Sequence, residues 1–203
     1  MTKIQVFEND LPEDLDLSNE KFIGLDCEAL GLVLGRDPLT LVQLGLESKN
    51  FYLVKLNRET YKAPNLVKTL SNSNTQFIMH YARQDLLWLK YHLKIQPKNI
   101  FCSKVASKIS RTASSFHGYK DLVKELCGKD ISKKEQQSDW GDPNLSEKQI
   151  KYAASDTEYL FEIRKKLLNM LEREKRIEVF NRAMNVIPVL VDMEIAGYNL
   201  STF

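Results

Sequence analysis

The first half of the chain alternates short apolar runs with turn residues, a pattern typical of β-strands. Five runs are predicted as strands: KIQVF, KFIGLD, TLVQLGLE, NFYLV and TQFIM. From about Asn65 onward, apolar residues also recur at helical spacing, in PNLVKTLSN and RQDLLWLKYHL. We therefore expect a sheet whose later strands are interleaved with helices.

After Ile100 the pattern predicts helices alone: CSKVASKIS, YKDLVKELCG ending at Gly128, and a long segment from Ser146. Ser146 with Gln149 three residues later predicts a capping box at the start of that segment. The C-terminal RIEVFNRAMNVIPVLVDMEIAGYNL predicts a strongly apolar helix broken near Pro188. Strands followed by helices indicate an α+β or mixed α/β domain with one central sheet.

The length of 203 residues suits one domain of good size, or a domain with a small appendage. No apolar run approaches the length needed to cross a bilayer, and the first residues lack a secretory signal, so we expect a cytoplasmic protein that does not bind membranes. Three cysteines at wide spacings suit neither a disulfide framework nor a zinc site. We expect them to be reduced.

The net charge of +2 is too balanced for a protein that neutralises many phosphates along a duplex. The charge is uneven, however. Between Lys98 and Lys134, nine Lys and Arg residues face three acidic ones. This run is either a local basic surface or a set of solvated helix faces.

Two carboxylates, Asp26 and Glu28, follow directly on an apolar strand. Strand side chains alternate, so both acids point to one face and Cys27 to the other. Two carboxylates so close repel each other unless a cation lies between them. A divalent metal site would explain the pair, and a strand running out into a solvated loop would explain it equally well.

Two further acids interrupt apolar helical faces. Asp85 follows the strand that ends at Met79 and His80, and Asp156 lies four residues after Tyr152 on one helical face. Taken singly, each Asp is also explained as a helical acid satisfied by a neighbour, and Tyr152 as a core aromatic. Together, the four acids can converge at the edge of the sheet, where hard oxygen ligands favour two ions of Mg²⁺ or Mn²⁺. Tyr152 could then orient or help deprotonate an attacking water.

The segments LDCE, HYARQD and YAASD resemble the three exonuclease motifs of the DEDD superfamily, in its tyrosine branch, DEDDy. This resemblance implies an α/β, RNase H-like exonuclease domain, which we place at residues 1–175, with a helical extension at 176–203 that packs on the domain or in a subunit interface. It implies that Asp26, Glu28, Asp85 and Asp156 hold two divalent ions and that Tyr152 positions the water. Cys27 departs from the Thr that is common between the first two acids.

The chain from Phe101 to Asp156 is further similar to the compact RNase D relatives called nanoRNase C. That likeness implies a 3'-5' exoribonuclease that degrades short single-stranded RNA, dinucleotides in particular, to nucleoside 5'-monophosphates, and a homo-octameric ring. Leu32 matches a wedge leucine that packs against substrate bases, although an ordinary turn leucine would look the same. The other candidates for substrate contact are His80 and, in the RTASSFHG loop, Arg111, Ser114, Ser115 and His117, for which a solvated loop is the competing interpretation.

Two alternatives stay open. The same chemistry could trim structured RNA 3' ends in the manner of RNase D, or process DNA ends; a long substrate would then need an extended basic track. The chain could instead be an inactive exonuclease fold used for nucleic-acid binding. The presence of all four acids and the tyrosine argues against this second alternative.

Overall fold

Six strands form one mixed sheet in a computed structural model that describes residues 2–132 and 134–198. The bounds are β1 Lys3–Glu8, β2 Phe22–Ala29, β3 Leu39–Gly45, β4 Asn50–Lys55, β5 Gln76–Met79 and β6 Ile100–Cys102. The strand order is β1-β4-β3-β2-β5-β6. Strands β2, β3 and β4 are antiparallel neighbours, whereas β1 on β4, β5 on β2 and β6 on β5 are parallel. The predicted central mixed sheet is confirmed.

Seven α-helices flank this sheet in the described residues. Their bounds are α1 Pro64–Leu70, α2 Ala82–Trp88, α3 Ser103–Ser110, α4 Tyr119–Leu122, α5 Glu147–Glu158, α6 Leu160–Arg173 and α7 Ile177–Ile195. Two π-helical turns, Leu89–Leu93 and Val123–Cys127, extend α2 and α4, and a 3-10 turn spans Lys134–Gln137. The predicted capping box starts α5, because Ser146 Oγ accepts from the Gln149 N–H.

Helix α5 lies over one face of the sheet because two strand glycines leave room for it. A Cβ added at Gly45 of β3 would lie 2.4 Å from Thr157 Oγ1, and one at Gly24 of β2 would lie 3.1 Å from Thr157 Cβ. Side chains alternate along β2, so Asp26 and Glu28 share the face of Gly24. The helix that carries Tyr152 and Asp156 therefore covers the same face as the two strand acids.

Two sequence predictions were wrong. Residues Ile100–Cys102 form β6 beside β5, although no strand was predicted after Ile100. Three residues leave too short a pattern, and the pairing with β5 decides the conformation. Helix α7 also continues through Pro188 instead of breaking there. Its packed face, with Met184 and Val191 buried, holds the helix together although the proline removes one backbone donor.

Helix α7 packs on α2, α3 and β6. Ion pairs from Arg83 to Glu194 (2.7 Å) and from Lys90 to Asp192 tie it to α2 and the following turn. The division at residue 175 and any role of this segment in a subunit interface stay predictions. None of the helices in residues 2–132 and 134–198 is both long and apolar enough to cross a membrane. All three cysteines are free thiols.

Candidate active site

The strand acids meet a helix acid at the end of β2. One oxygen each of Asp26, Glu28 and Asp156 lies within 4.8 Å of the other two. All three residues are half-buried. This separation is close enough for one cation to be shared by the three carboxylates, so the group has the form of a metal site.

Asp85 reaches the same region from α2. The helix begins directly after Tyr81, a left-handed residue with φ 63°, and Asp85 is its fourth residue. The side chain is buried, and its Oδ2 has no hydrogen-bond partner among the described residues. Asp85 is not one of the three acids within 4.8 Å, but it acts electrostatically on both strand acids.

The acids perturb one another strongly. Burial, followed by the charges of Asp85, Asp156 and Glu28, holds the pKa of Asp26 well above its usual range. Burial and the same two helix acids raise the pKa of Glu28 to about 9. Burial raises the pKa of Asp85 too, partly offset by its own backbone N–H and that of Cys27. Burial and mutual repulsion thus favour the protonated forms of these carboxyls where no cation lies between them.

The donor set fits a hard divalent cation. Carboxylate oxygens are the ligands that Mg²⁺ and Mn²⁺ prefer, and a cation would remove the repulsion that raises these pKa values. The unpartnered Oδ2 of Asp85 is a further oxygen in this region. The residues present therefore suit the divalent metals expected from the sequence, and they do not distinguish Mg²⁺ from Mn²⁺.

Tyr152 stands one helical turn before Asp156 and donates a hydrogen bond to its carboxylate. Burial, then the charges of Asp156, Glu28 and Asp26, raises the pKa of the phenol. Its ring lies 6.0 Å from the ring of Trp140, which is buried. Tyr152 thus packs on the buried cluster of Trp140 and presents its hydroxyl to the acids, so it combines the aromatic packing and the polar contact that were the two interpretations.

Tyr119 was missed by the sequence analysis. Its hydroxyl donates to the Ser155 carbonyl at 2.9 Å. Burial, together with the charges of Asp156 and Asp26, raises the pKa of the Tyr119 phenol. The ring of His80 lies 5.6 Å from the ring of Tyr119, and His80 Nδ1 lies 2.9 Å from Ser103 Oγ. His80 therefore sits beside a residue that borders the acids. A tyrosine near a helix start gives no sequence signal for such a position.

The RTASSFHG loop is internally connected through a serine that was also missed. Ser107, fully buried on α3, lies 2.8 Å from His117 Nδ1 and accepts from Arg111 at 3.0 Å. Arg111 also donates to the Phe116 carbonyl and pairs with Glu125. Arg111 thus has its guanidinium fixed in place by contacts with Ser107, Phe116 and Glu125.

The two serines of this loop are placed differently. Ser114 Oγ accepts from the Phe116 N–H, whereas Ser115 is exposed. Both line a pocket of about 580 Å³ whose walls include Arg111 and Arg176 and also two glutamates. The pocket therefore carries both signs of charge.

The loop after β2 presents Leu32 to solvent, with 78% of the residue exposed. The loop is closed by Asp37, whose carboxylate accepts from the Val33 N–H at 2.9 Å and pairs with Arg36. A Cβ added at Gly31 would lie 2.1 Å from Asp37 Oδ2, so a larger residue there would displace the Asp37 carboxylate. Leu32 is thus an apolar side chain held outside the core, next to the strand that carries Asp26 and Glu28.

Comparison with known proteins decides the family. Residues 5–172 match the 3'-5' exonuclease family. The chain belongs to this family. The exonuclease resembles ribonuclease D of Xanthomonas oryzae, with 29% identity over 83% of this chain and 46% of that protein. The chain spans less than half the length of the ribonuclease D proteins it matches first.

Solved structures show the same fold over nearly the whole exonuclease. Brucella melitensis NrnC with bound Mg²⁺ is 33% identical, with a TM-score of 0.91 and 98% of both chains covered. The same protein bound to pGG is 35% identical, with a TM-score of 0.92 over 98% of this chain and 96% of that one. The predicted RNase H-like fold and the resemblance to nanoRNase C are confirmed.

Proposed function

We propose that the chain is a metal-dependent 3'-5' exoribonuclease that degrades short RNA, dinucleotides above all, to nucleoside 5'-monophosphates. The observation that carries the proposal is the convergence of Asp26, Glu28 and Asp156 within 4.8 Å, with Asp85 and Tyr152 beside them. Family membership supports the reaction class. Such a group of acids is costly to bury without a cation, so its place is best explained by catalysis.

Each residue has a defined task in this proposal. Asp26, Glu28, Asp85 and Asp156 would hold two divalent ions, Mg²⁺ or Mn²⁺, which would supply Lewis-acid chemistry for phosphodiester hydrolysis. Tyr152 keeps its proton and, through its hydroxyl, positions the attacking water. Its existing hydrogen bond to Asp156 fixes the direction in which that hydroxyl points.

Two features support a short substrate. Brucella melitensis NrnC, which is 35% identical, is bound to pGG in its structure. The net charge of +2 is small for a protein that tracks a long backbone. In this proposal Leu32 packs against the bases, His80 lies beside the scissile region, and the loop with Arg111, Ser114, Ser115 and His117 contacts the terminal phosphate.

The second candidate is trimming of longer RNA 3' ends, or of DNA ends, with the same residues. The similarity to ribonuclease D favours it. So do Lys104 and Lys108 on α3, next to the RTASSFHG loop, since cations in line could follow a longer backbone. An inactive nucleic-acid-binding module is disfavoured by the complete set of acids and the tyrosine.

A time course separates the candidates. RNAs of two, five and thirty nucleotides, 5'-labelled, are incubated with Mg²⁺ or Mn²⁺ and with EDTA. The wild type is compared with Asp26→Asn. Fastest loss of the dinucleotide, abolished by EDTA and by the substitution, supports the proposal. Ready shortening of the 30-mer while the dinucleotide persists supports the second candidate, and metal-independent cleavage contradicts both.

Assembly and location are also proposals. A homo-octamer would be expected from the resemblance to nanoRNase C, and α7 leaves Val179, Val186 and Val189 exposed on one side. Light scattering after size exclusion gives the subunit number directly, and a monomeric mass would remove the octamer. We place the protein in the cytoplasm, which fractionation of cells can test.

A further inference from the structure

Gln43 is a polar residue in the centre of the sheet. It lies on β3, where all seven positions are buried, and it has no exposed surface. Neither Nε2 nor Oε1 of its amide has a hydrogen-bond partner among the described residues. A buried amide without partners destabilises a fold, so a glutamine at this position requires another explanation than packing.

The sheet register places Gln43 directly beside the acid cluster. Gln43 is the cross-strand partner of Asp26 in the antiparallel pair of β2 and β3. Partners in such a pair share a face, with Cβ atoms about 4.5–5.5 Å apart. The side chain of glutamine extends far enough for Nε2 to reach a carboxylate oxygen of Asp26. Gln43 therefore lies on the face of the sheet that carries Asp26 and borders the metal site.

A second unpartnered polar group packs on two leucines that neighbour Gln43 in the sheet. Leu41 lies two residues before Gln43 on the same face, and Leu53 of β4 is the cross-strand partner of Gln43. These two leucines form a buried cluster with Trp140 and Ala153. Trp140 is buried, and its Nε1 has no acceptor among the described residues. An indole donor and an amide acceptor thus flank the same two leucines.

We propose that Gln43 is a positioning residue for the metal site: its amide, which has no partner as the structure stands, would turn when a cation binds, donating through Nε2 to the Asp26 carboxylate and accepting through Oε1 from Trp140 Nε1. The bond from Nε2 fixes which Asp26 oxygen faces the cation. The bond from Trp140 would fix which end of the amide faces Asp26. The ring of Trp140 also lies 6.0 Å from the ring of Tyr152. The inference rests on the proposed metal site and adds a residue outside its ligands.

The test is a titration of Gln43→Met with Mn²⁺, in which the electron paramagnetic resonance signal of free Mn²⁺ measures how much is bound. Methionine keeps the length and volume of the side chain and removes both polar atoms. We expect Mn²⁺ affinity to fall roughly 10- to 100-fold, as for other groups that orient metal ligands. The melting temperature in EDTA should stay equal or rise, because an unpartnered amide is replaced by an apolar group. Saturating Mn²⁺ should restore most of kcat.

Gln76→Met is the matched control. Gln76 lies near the opposite end of the sheet, where its amide donates to Asn99 and accepts from Arg164. This glutamine is structural, so its loss should lower the melting temperature and leave Mn²⁺ affinity as in the wild type. A purely structural Gln43 would behave in the same way.

Several outcomes separate the inference from the proposed function. Wild-type Mn²⁺ affinity in Gln43→Met, with binding lost in Asp26→Asn, overturns the role of Gln43 and leaves the metal site intact. Absence of Mn²⁺ binding in the wild type removes the metal site and the inference with it. If Gln43→Met does not fold, Trp140→Phe takes its place, and unchanged Mn²⁺ affinity in that variant overturns the inference.

Discussion

Gly45 of β3 and Thr157 of α5 are in such close approach that a Cβ on the glycine would lie 2.4 Å from Thr157 Oγ1. Thr157 follows Asp156 directly, so this contact sets how near the helix acid comes to the strand acids. The backbone of β3 thus determines the height of α5 above the sheet, and with it the geometry of the cluster.

Gly45→Ala should therefore reduce both stability and activity. The added methyl forces α5 away from the sheet at a cost of about 1–3 kcal/mol. A displacement near 1 Å would lower kcat roughly a hundredfold. Gly24→Ala is the graded control, since its Cβ would lie 3.1 Å from Thr157 and the effect should be smaller. Equal melting temperatures and rates for wild type and Gly45→Ala would refute the argument.

Asp26→Asn should abolish turnover without unfolding the protein. Losing a metal ligand removes several kcal/mol of charge stabilisation, so the rate should fall at least about a thousandfold. The melting temperature in EDTA should rise, because burial and three neighbouring acids already disfavour the ionised form. Calorimetry and the labelled-RNA assay measure the two effects. A folded variant with wild-type turnover would exclude Asp26 from the reaction.

Tyr152→Phe should slow catalysis roughly a hundredfold and preserve metal binding. The substitution removes the hydroxyl that donates to Asp156 and leaves the ring against Trp140. Single-turnover rates at saturating Mn²⁺ and Mn²⁺ affinity are the two measurements. An unchanged rate would remove the tyrosine from the mechanism, and lost Mn²⁺ binding would make its role structural.

The metal-free protein should lose stability as pH rises between about 5 and 9. The pKa of Glu28 is raised from its ordinary value of 4.5 to about 9, so across this window the folded state binds more protons than the unfolded state. Stability then falls with increasing pH. Mg²⁺ removes the repulsion, so the rise in melting temperature on adding Mg²⁺ should be larger at pH 8 than at pH 6. An equal rise in melting temperature at the two pH values would contradict this electrostatic description. In Asp26→Asn, the stability of the metal-free protein should fall less steeply with pH than in the wild type.

Arg111→Met should weaken binding of 5'-phosphorylated dinucleotides specifically. Losing a charge-assisted contact should raise KM roughly 10- to 100-fold, while a 5'-hydroxyl dinucleotide should be little affected. Arg176→Met is the matched control, because Arg176 lines the same pocket and likewise donates to a backbone carbonyl, that of Ile109, but lies outside the RTASSFHG loop. Equal changes in KM for both substrates would show that Arg111 supports the loop rather than the phosphate.

The acids and the tyrosine could be identified in the sequence because each motif is local. Alternation along β2 puts Asp26 and Glu28 on one face, and helical spacing puts Tyr152 one turn from Asp156. The capping box at Ser146 marked the start of α5 for the same reason, since it depends on a span of four consecutive residues, 146–149. Gln43 also left a signal, a polar residue within an apolar strand, which the sequence analysis did not use.

Long-range contacts decided the rest. Strand β6 forms because β5 offers an edge, and α7 passes through Pro188 because its buried face is held by α2 and β6. Ser107 joins Arg111 to His117 across ten residues of chain, which no spacing rule predicts. The sequence by itself determined which side chains could bind a cation, because alternation and helical period are local properties of the backbone. Only the tertiary structure decided that the acids meet and that Gln43 lies beside Asp26 on the neighbouring strand. Strand register and the height of the helix above the sheet arise from packing between distant segments.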